Sequence, residues 1–233
     1  MAEDFAPSKL GTKAHWDSVY KEEVDNFEEL GDEGEVWFGT ETVEKMVEWT
    51  AEHVPASPAP YILDIGTGNG VMLFSLAEEG YDASRMLGVD YSEDSVRLAK
   101  LVANARERSD VTFAQGDFLK DDPPHVQGME DGKVDVWDLL LDKGTYDAIG
   151  LAGKDEDGVR PRDVYPGRVA RLLKPGGLFL ITSCNYTEEE LKAAFETADT
   201  GLTYHSRIQH PTYTYGGKSG SICASVAFRK PAL

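Results

Sequence analysis

The sequence predicts an α/β fold, a mostly parallel sheet with helices on both faces and an antiparallel hairpin at its C-terminal end. Three observations predict it. Between residues 60 and 200, short apolar runs of four to six residues alternate with amphipathic helical patterns, the mark of β-α-β units whose strands are buried on both faces. The first of those runs passes straight into the glycine-rich turn GTGNG at 66–70. Beyond residue 200, two further β-like runs flank the glycine-rich connection TYGGKSG at 214–220.

Residues 1–11 read as a frayed tail. From Thr12 to Phe27 the residues Trp16, Val19, Tyr20, Val24 and Phe27 recur at three- and four-residue steps and predict an amphipathic helix. Gly31, Gly34 and Gly39 break the acidic stretch that follows. A second helix is expected over Thr40–His53, ended by the PASPAP linker at 55–60. Strands are then expected at Tyr61–Ile65, Met86–Val89, Val111–Gln115, Val136–Leu141 and Leu178–Thr182. Helices are expected over Val71–Glu79, over Ser92–Arg108 behind an N-cap serine, and over Glu188–Ala198. RLLKPGGLF at 171–179 reads as a helix end turning into the fifth strand. Residues 121–134, with their prolines and glycines, form an irregular loop placed to meet a substrate. The strands Leu202–His210 and Ser221–Arg229 bring the sheet to seven strands.

With 233 residues, 41% hydrophobic and 28% charged, the chain suits one large domain with a sizeable core. Forty-two acidic residues against 23 basic ones leave a net charge of −19. That field opposes nucleic acid and anionic membranes and favours a basic partner. The two cysteines, Cys184 and Cys223, and an opening segment unlike a signal peptide fit a cytoplasmic protein with free thiols. The histidines show no metal-ligand spacing with the cysteines, so no metal is expected. Nothing in the sequence demands more than a monomer.

The most informative stretch is YILDIGTGNG at 61–70. Gly66, Gly68 and Gly70 permit a tight turn and a close approach of backbone to ligand. Asp64 can bond loop amides or a ligand amino group. Twenty residues after Gly70, Asp90 ends the second strand, where a carboxylate can accept both hydroxyls of a ribose. QGDF at 115–118 ends the third strand and offers Asp117 to an exocyclic amine and Phe118 to a purine face. Asn69 in the loop and Tyr91 beside Asp90 complete this set. Any of these can be structural alone; three acids at the ends of three successive strands point to an adenosine compound. The loop is G-x-G-x-G, not the pyrophosphate-binding G-x-G-x-x-G, and no basic residue lies between Asp64 and Glu79. Such a site suits the cationic S-adenosyl-L-methionine. A short-chain NAD-dependent dehydrogenase needs a Tyr-x-x-x-Lys pair, which is missing.

These motifs resemble those of the seven-β-strand S-adenosylmethionine-dependent methyltransferases over roughly residues 60–183, and the resemblance implies a Rossmann-like sheet with a terminal hairpin. DKGTYDAI at 142–149, HWDSVYKEEVDNFEELGDEGEVWFG at 15–39 and PTYTYGGKSGSICASVAFRK at 211–230 are similar to the lysine methyltransferases of translation elongation factor 1-alpha. That likeness covers nearly the whole chain and implies a basic protein substrate. The linker at 55–60 and the change of pattern beyond Pro60 divide the chain into an N-terminal helical extension and lid at 1–59 and a methyltransferase domain at 60–233, together one structural unit. Asp142 and Tyr146 are expected on the substrate side, with Asp142 also near the cofactor; the alternative for Asp142 is a helix or loop cap. Lys143 is expected in a structural salt bridge. Trp16, Tyr20, Trp37, Phe38, Tyr146, Tyr213 and Tyr215 are candidates for the lysine channel, with Trp16 and Trp37 also beside the cofactor. A small amine or metabolite remains the alternative methyl acceptor, and a partner-binding module with a degenerate site the alternative to an enzyme.

Overall fold

The computed structural model describes residues 6–215 and 218–232, the side chains of 212–220 excepted. Two helices, α1 (Lys13–Leu30) and α2 (Thr40–His53), precede β1 (Ile62–Ile65), α3 (Val71–Glu78), β2 (Met86–Asp90), α4 (Glu93–Ala105) and β3 (Thr112–Gln115). There follow β4 (Trp137–Lys143), α5 (Thr145–Gly150), α6 (Pro161–Leu172), β5 (Leu173–Ser183) and α7 (Glu188–Phe195). The chain finishes with β6 (Thr203–Ile208), β7 (Thr212–Tyr215), β8 (Lys218–Ser221) and β9 (Ala224–Arg229).

Seven strands form one sheet in the order β3-β2-β1-β4-β5-β9-β6. Strands β1 to β5 run parallel, and β9 is antiparallel to both β5 and β6. The order reverses between β1 and β4, so a crevice opens beyond their carboxyl ends, the position where such sheets take ligands. Alternation along the strands builds two cores. Ile62, Leu139, Leu141, Leu178 and Leu180 face α2, α3 and α4, where Met46, Leu73, Phe74 and Leu98 are buried. Leu63, Ile65, Leu140, Phe179 and Ile181 face the opposite way, onto Tyr165 and Val169 of α6 and Leu191 and Phe195 of α7. A sheet covered on both sides explains why its strands read as continuous apolar runs.

The expected Rossmann-like α/β sheet is present, with three differences in detail. The last two strands pair antiparallel, but β9 inserts between β5 and β6, and the glycine-rich connection carries its own two-stranded ribbon, β7 with β8. Helices α5 and α6 stand where no helix start was read; α5 has six residues and α6 contains Pro166, so neither shows a long periodic stripe. The tail is packed rather than frayed over its described part: Lys9–Gly11 form a 3-10 turn, and Ser8 N–H donates to the Leu151 carbonyl at 3.1 Å.

The N-terminal helices lie on this frame. Gly31 ends α1 in the left-handed region, its N–H bonding Phe27 O at 2.8 Å. Glu28 pairs with Arg97 of α4, and Arg106 Nε donates to both oxygens of Glu33 at 2.9 and 3.1 Å. Helix α2 reaches the far edge of the sheet, where Trp49 Nε1 donates to Ser206 Oγ at 3.0 Å. Among the described residues no helix is long and apolar enough to cross a membrane.

Candidate cofactor cleft and acceptor site

A cavity of about 220 Å³ lies at the carboxyl edge, over the β1–β4 switch point. The turn after β1 forms its floor. Gly66 and Thr67 N–H groups both donate to Val89 O of β2, at 2.8 and 3.0 Å, which bends the chain back over the sheet. Gly66 has φ 68°, and a Cβ there would fall on the hydroxyl of Thr145, which donates to Ile65 O at 2.7 Å. Only glycine fits that seam between β1 and α5. Asp64 braces the turn from beneath: its Oδ2 accepts from Thr67 Oγ1 at 2.7 Å, and burial raises its pKa to about 6. Gly70 packs against the Phe74 and Phe113 rings instead of opening to the cavity.

Asp90 lines the cavity from the end of β2. Its two oxygens accept from Ser92 N–H at 3.0 Å and Gly68 N–H at 3.2 Å, which fixes the carboxylate toward the turn. Burial pushes its pKa up while those donors oppose the shift. Asp117 and Phe118 form the wall beyond β3. Asp117 accepts from Leu119 N–H at 3.1 Å and pairs with exposed Lys120. Phe118 is held at 4.9 Å between ring centroids from Tyr165. Tyr91 and Asn69 also line the cavity; Asn69 Nδ2 donates to Glu33 O at 3.0 Å and ties the acidic loop to the glycine turn.

The N-terminal extension supplies the roof. Trp16, Tyr20, Glu35 and Trp37 line the cavity, and Gly11 meets it from the tail. Trp16 Nε1 donates to Leu10 O at 2.7 Å, and its ring stands edge-on to Trp37 with centroids 4.7 Å apart. Tyr20 is half-buried beside Gly68, and its phenol is held protonated by desolvation and by the Asp90 and Glu23 carboxylates. Among the described residues the lining carries Glu35, Asp90 and Asp117 against one cation, Lys143. An adenosine compound with a cationic centre suits this lining: a buried carboxylate at the end of β2, an aromatic wall, a cramped glycine turn and a surplus of acid.

The two residues expected on the substrate side are not in the cavity wall. Asp142 is fully buried, and it accepts from Thr145 N–H at 2.9 Å, Tyr146 N–H at 3.0 Å and the Tyr165 hydroxyl. It therefore fills the capping role at the start of α5, with burial raising its pKa to about 7. Tyr146 packs in an aromatic cluster with Tyr165, Tyr186 and Phe195, at centroid distances of 4.9–5.2 Å. Lys143 is not in the expected salt bridge: it lines the cavity and donates to Trp37 O at 3.0 Å. Of the other channel candidates, Phe38 sits against Trp37, and Tyr213 and Tyr215 carry side chains outside the described residues. The sequence reading missed Gly11, Glu35, Ala148 and Ile149 as lining. The alternation of β4 holds a usable signal, since adjacent residues 142 and 143 must face opposite sides.

Residues 57–219 match the family described as Methyltransferase domain. The chain is 44% identical to Protein-lysine N-methyltransferase efm4 of Schizosaccharomyces pombe, over 95% of this chain and 94% of that one. It is 37% identical to EEF1A lysine methyltransferase 2 of Homo sapiens, over 97% of this chain and 89% of the relative. Among solved structures, the cyclase SpnF superposes with a TM-score of 0.68 over 98% of both chains at 14% identity, a likeness of fold.

Proposed function

Because the chain belongs to the methyltransferase-domain family that holds the protein-lysine N-methyltransferases it matches along nearly its whole length, we propose that it methylates a lysine of translation elongation factor 1-alpha from S-adenosylmethionine. The observation that carries this reading is the acidic, aromatic-roofed cavity at the β1–β4 switch point, in a chain so similar to those enzymes.

When bound, S-adenosylmethionine supplies an electrophilic methyl group on a sulfonium. In this reading Asp90 takes the ribose hydroxyls, Asp117 and Phe118 take the adenine, and the Gly66–Gly68 turn lies under the ligand. Trp16 and Trp37 cover it, and with Tyr20 they offer π faces to a cationic head group. Asp64 and Asp142 serve from beneath, one bracing the glycine turn and the other seating α5. The amine of the acceptor must arrive neutral and in line, which demands alignment more than a strong base. The apolar part of the cavity lining favours the neutral amine by withholding hydration from its charged form. The net charge of −19 draws a basic protein and repels nucleic acid. Two unbridged cysteines, exposed Cys184 and buried Cys223, agree with a reducing cytoplasm.

Incubation of the enzyme with purified elongation factor 1-alpha and S-adenosylmethionine, followed by tandem mass spectrometry, tests the reading. Methyl groups on a lysine are expected. An unmodified factor, with label appearing in small molecules of a cell extract, would favour the metabolite acceptor.

A further inference from the structure

The geometry points to Lys143 as the positioning residue of the acceptor channel: its ammonium grips the Trp37 carbonyl and so sets the indole that roofs the cleft. This rests on the methyl-transfer reading for its consequence, but the grip itself belongs to the structure.

Lys143 is the last residue of β4, paired in register with Thr182 of β5. Its neighbour Asp142 turns into the core, so Lys143 is directed the other way, along the cavity wall. Its Nζ donates to Trp37 O at 3.0 Å. The loop it holds has other fastenings along its length: Glu33 O accepts from Asn69 Nδ2 at 3.0 Å, Glu35 N–H donates to Glu23 Oε1 at 3.1 Å, Gly39 N–H donates to Val36 O at 2.9 Å, and Phe38 O accepts from Thr42 Oγ1 at 2.8 Å. Phe38 has φ 65°, a conformation that a phenylalanine adopts only when its surroundings impose it. The Lys143 bond falls at the corner just before that residue. It is a hydrogen bond from the end of β4 to the roof, beside Gly144, against which the Phe38 and Trp37 rings also sit.

A second feature separates Lys143 from an ordinary surface lysine. Burial pulls its pKa down, while the charges of Asp64 and Asp142 act the other way. A desolvated ammonium with a main-chain carbonyl as its acceptor holds that carbonyl more firmly than a neutral donor would. The roof is thereby fixed by an element of the catalytic domain and not by the extension alone. Trp37, edge-on to Trp16, then presents its ring to the cavity at one angle.

The test uses the full chain carrying Lys143→Met, which keeps length and loses the donor, and Lys143→Arg, which keeps a cationic donor. Three readouts are taken: hydrogen exchange of residues 33–39 without ligand, S-adenosylhomocysteine affinity by calorimetry, and kcat and KM on elongation factor 1-alpha. The Met variant should exchange about tenfold faster across 36–39, the loss of one charge-assisted bond. Its KM for the protein should rise several-fold with S-adenosylhomocysteine affinity within threefold, and Arg should restore both exchange and KM. Unchanged exchange would overturn the proposal. So would a fall in S-adenosylhomocysteine affinity matching the fall in kcat/KM, which would make Lys143 part of the cofactor site. Should the Met variant fail to fold, Lys143→Gln, with a shorter neutral donor, is read by the same criteria. If the wild-type enzyme leaves the factor unmethylated, the reaction is wrong, and the exchange measurement still decides whether Lys143 holds the roof.

Discussion

Replacing Asp90 by Asn separates the charge of this carboxylate from its shape. In the structure each oxygen accepts one main-chain N–H, from Ser92 at 3.0 Å and Gly68 at 3.2 Å. Asparagine keeps one acceptor and turns an NH2 toward the other donor. One buried N–H therefore loses its partner, at a cost of about 1–3 kcal/mol in stability. For a chain of 233 residues that is a fall in Tm of several degrees, at about 2–4 °C per kcal/mol. Binding suffers separately. Two ribose hydroxyls that met a charged acceptor now meet a neutral amide, a loss of about 1 kcal/mol each. Together they weaken the complex by roughly 30-fold. Calorimetry with S-adenosylhomocysteine measures this without turnover. An affinity within twofold of wild type, in a variant that melts as a folded protein, would remove the ribose from Asp90 and the adenosine from this end of the cavity.

Other perturbations reach different parts of the structure. Gly11→Val would drive a side chain into the main chain of Leu151 and Ala152, lifting the tail and its Ser8–Leu151 and Trp16–Leu10 bonds; a loss of about 1–3 kcal/mol in denaturant unfolding is expected, with faster proteolysis before residue 13. Asp142 has a folded pKa of about 7, above the ordinary carboxylate value near 3.9, so the native state holds a proton that the unfolded chain releases. Its contribution is therefore greatest below pH 4 and is lost as pH rises to about 7. Asp142→Asn should gain stability relative to wild type between pH 5 and pH 8, and a constant difference across that range would show the carboxyl to be ionised throughout. Raising ionic strength from about 0.01 to 0.1 M shortens the Debye length from about 30 to 10 Å. It should raise KM for the basic elongation factor several-fold while leaving S-adenosylhomocysteine affinity within twofold; equal effects on both would place the charge effect in the cavity.

Much of the sheet was legible because its strands are short apolar runs closed by acids and glycines. The turn at 66–70, Asp90 and Phe118 could be placed from sequence since β-α-β units put strand ends in one line, and their side chains meet around one cavity. What could not be read follows from geometry that period and composition do not encode. Strand alternation sends the adjacent Asp142 and Lys143 to opposite sides, but only the packing of β4 decides which side is which, so that the carboxylate caps α5 while the amine faces the cleft. Tyr146 looks reactive beside them, but its ring is buried among Tyr165, Tyr186 and Phe195. The three-residue turn at Lys9–Gly11 is too short to show a period, and its place on α5 depends on a main-chain contact with a segment some 140 residues later. In the terminal hairpin, both strands could be found, but the position of β9 inside the sheet is a long-range choice.

A crystal of the protein grown or soaked with S-adenosylhomocysteine bears most directly on the claim that this cavity is a methyl-donor site. The ribose should lie on the Asp90 carboxylate, the adenine against Phe118, and the sulfur should point toward Trp37. Ligand density elsewhere, or none in a crystal of protein that binds the compound in solution, would contradict the assignment of the cleft and of every role drawn from it.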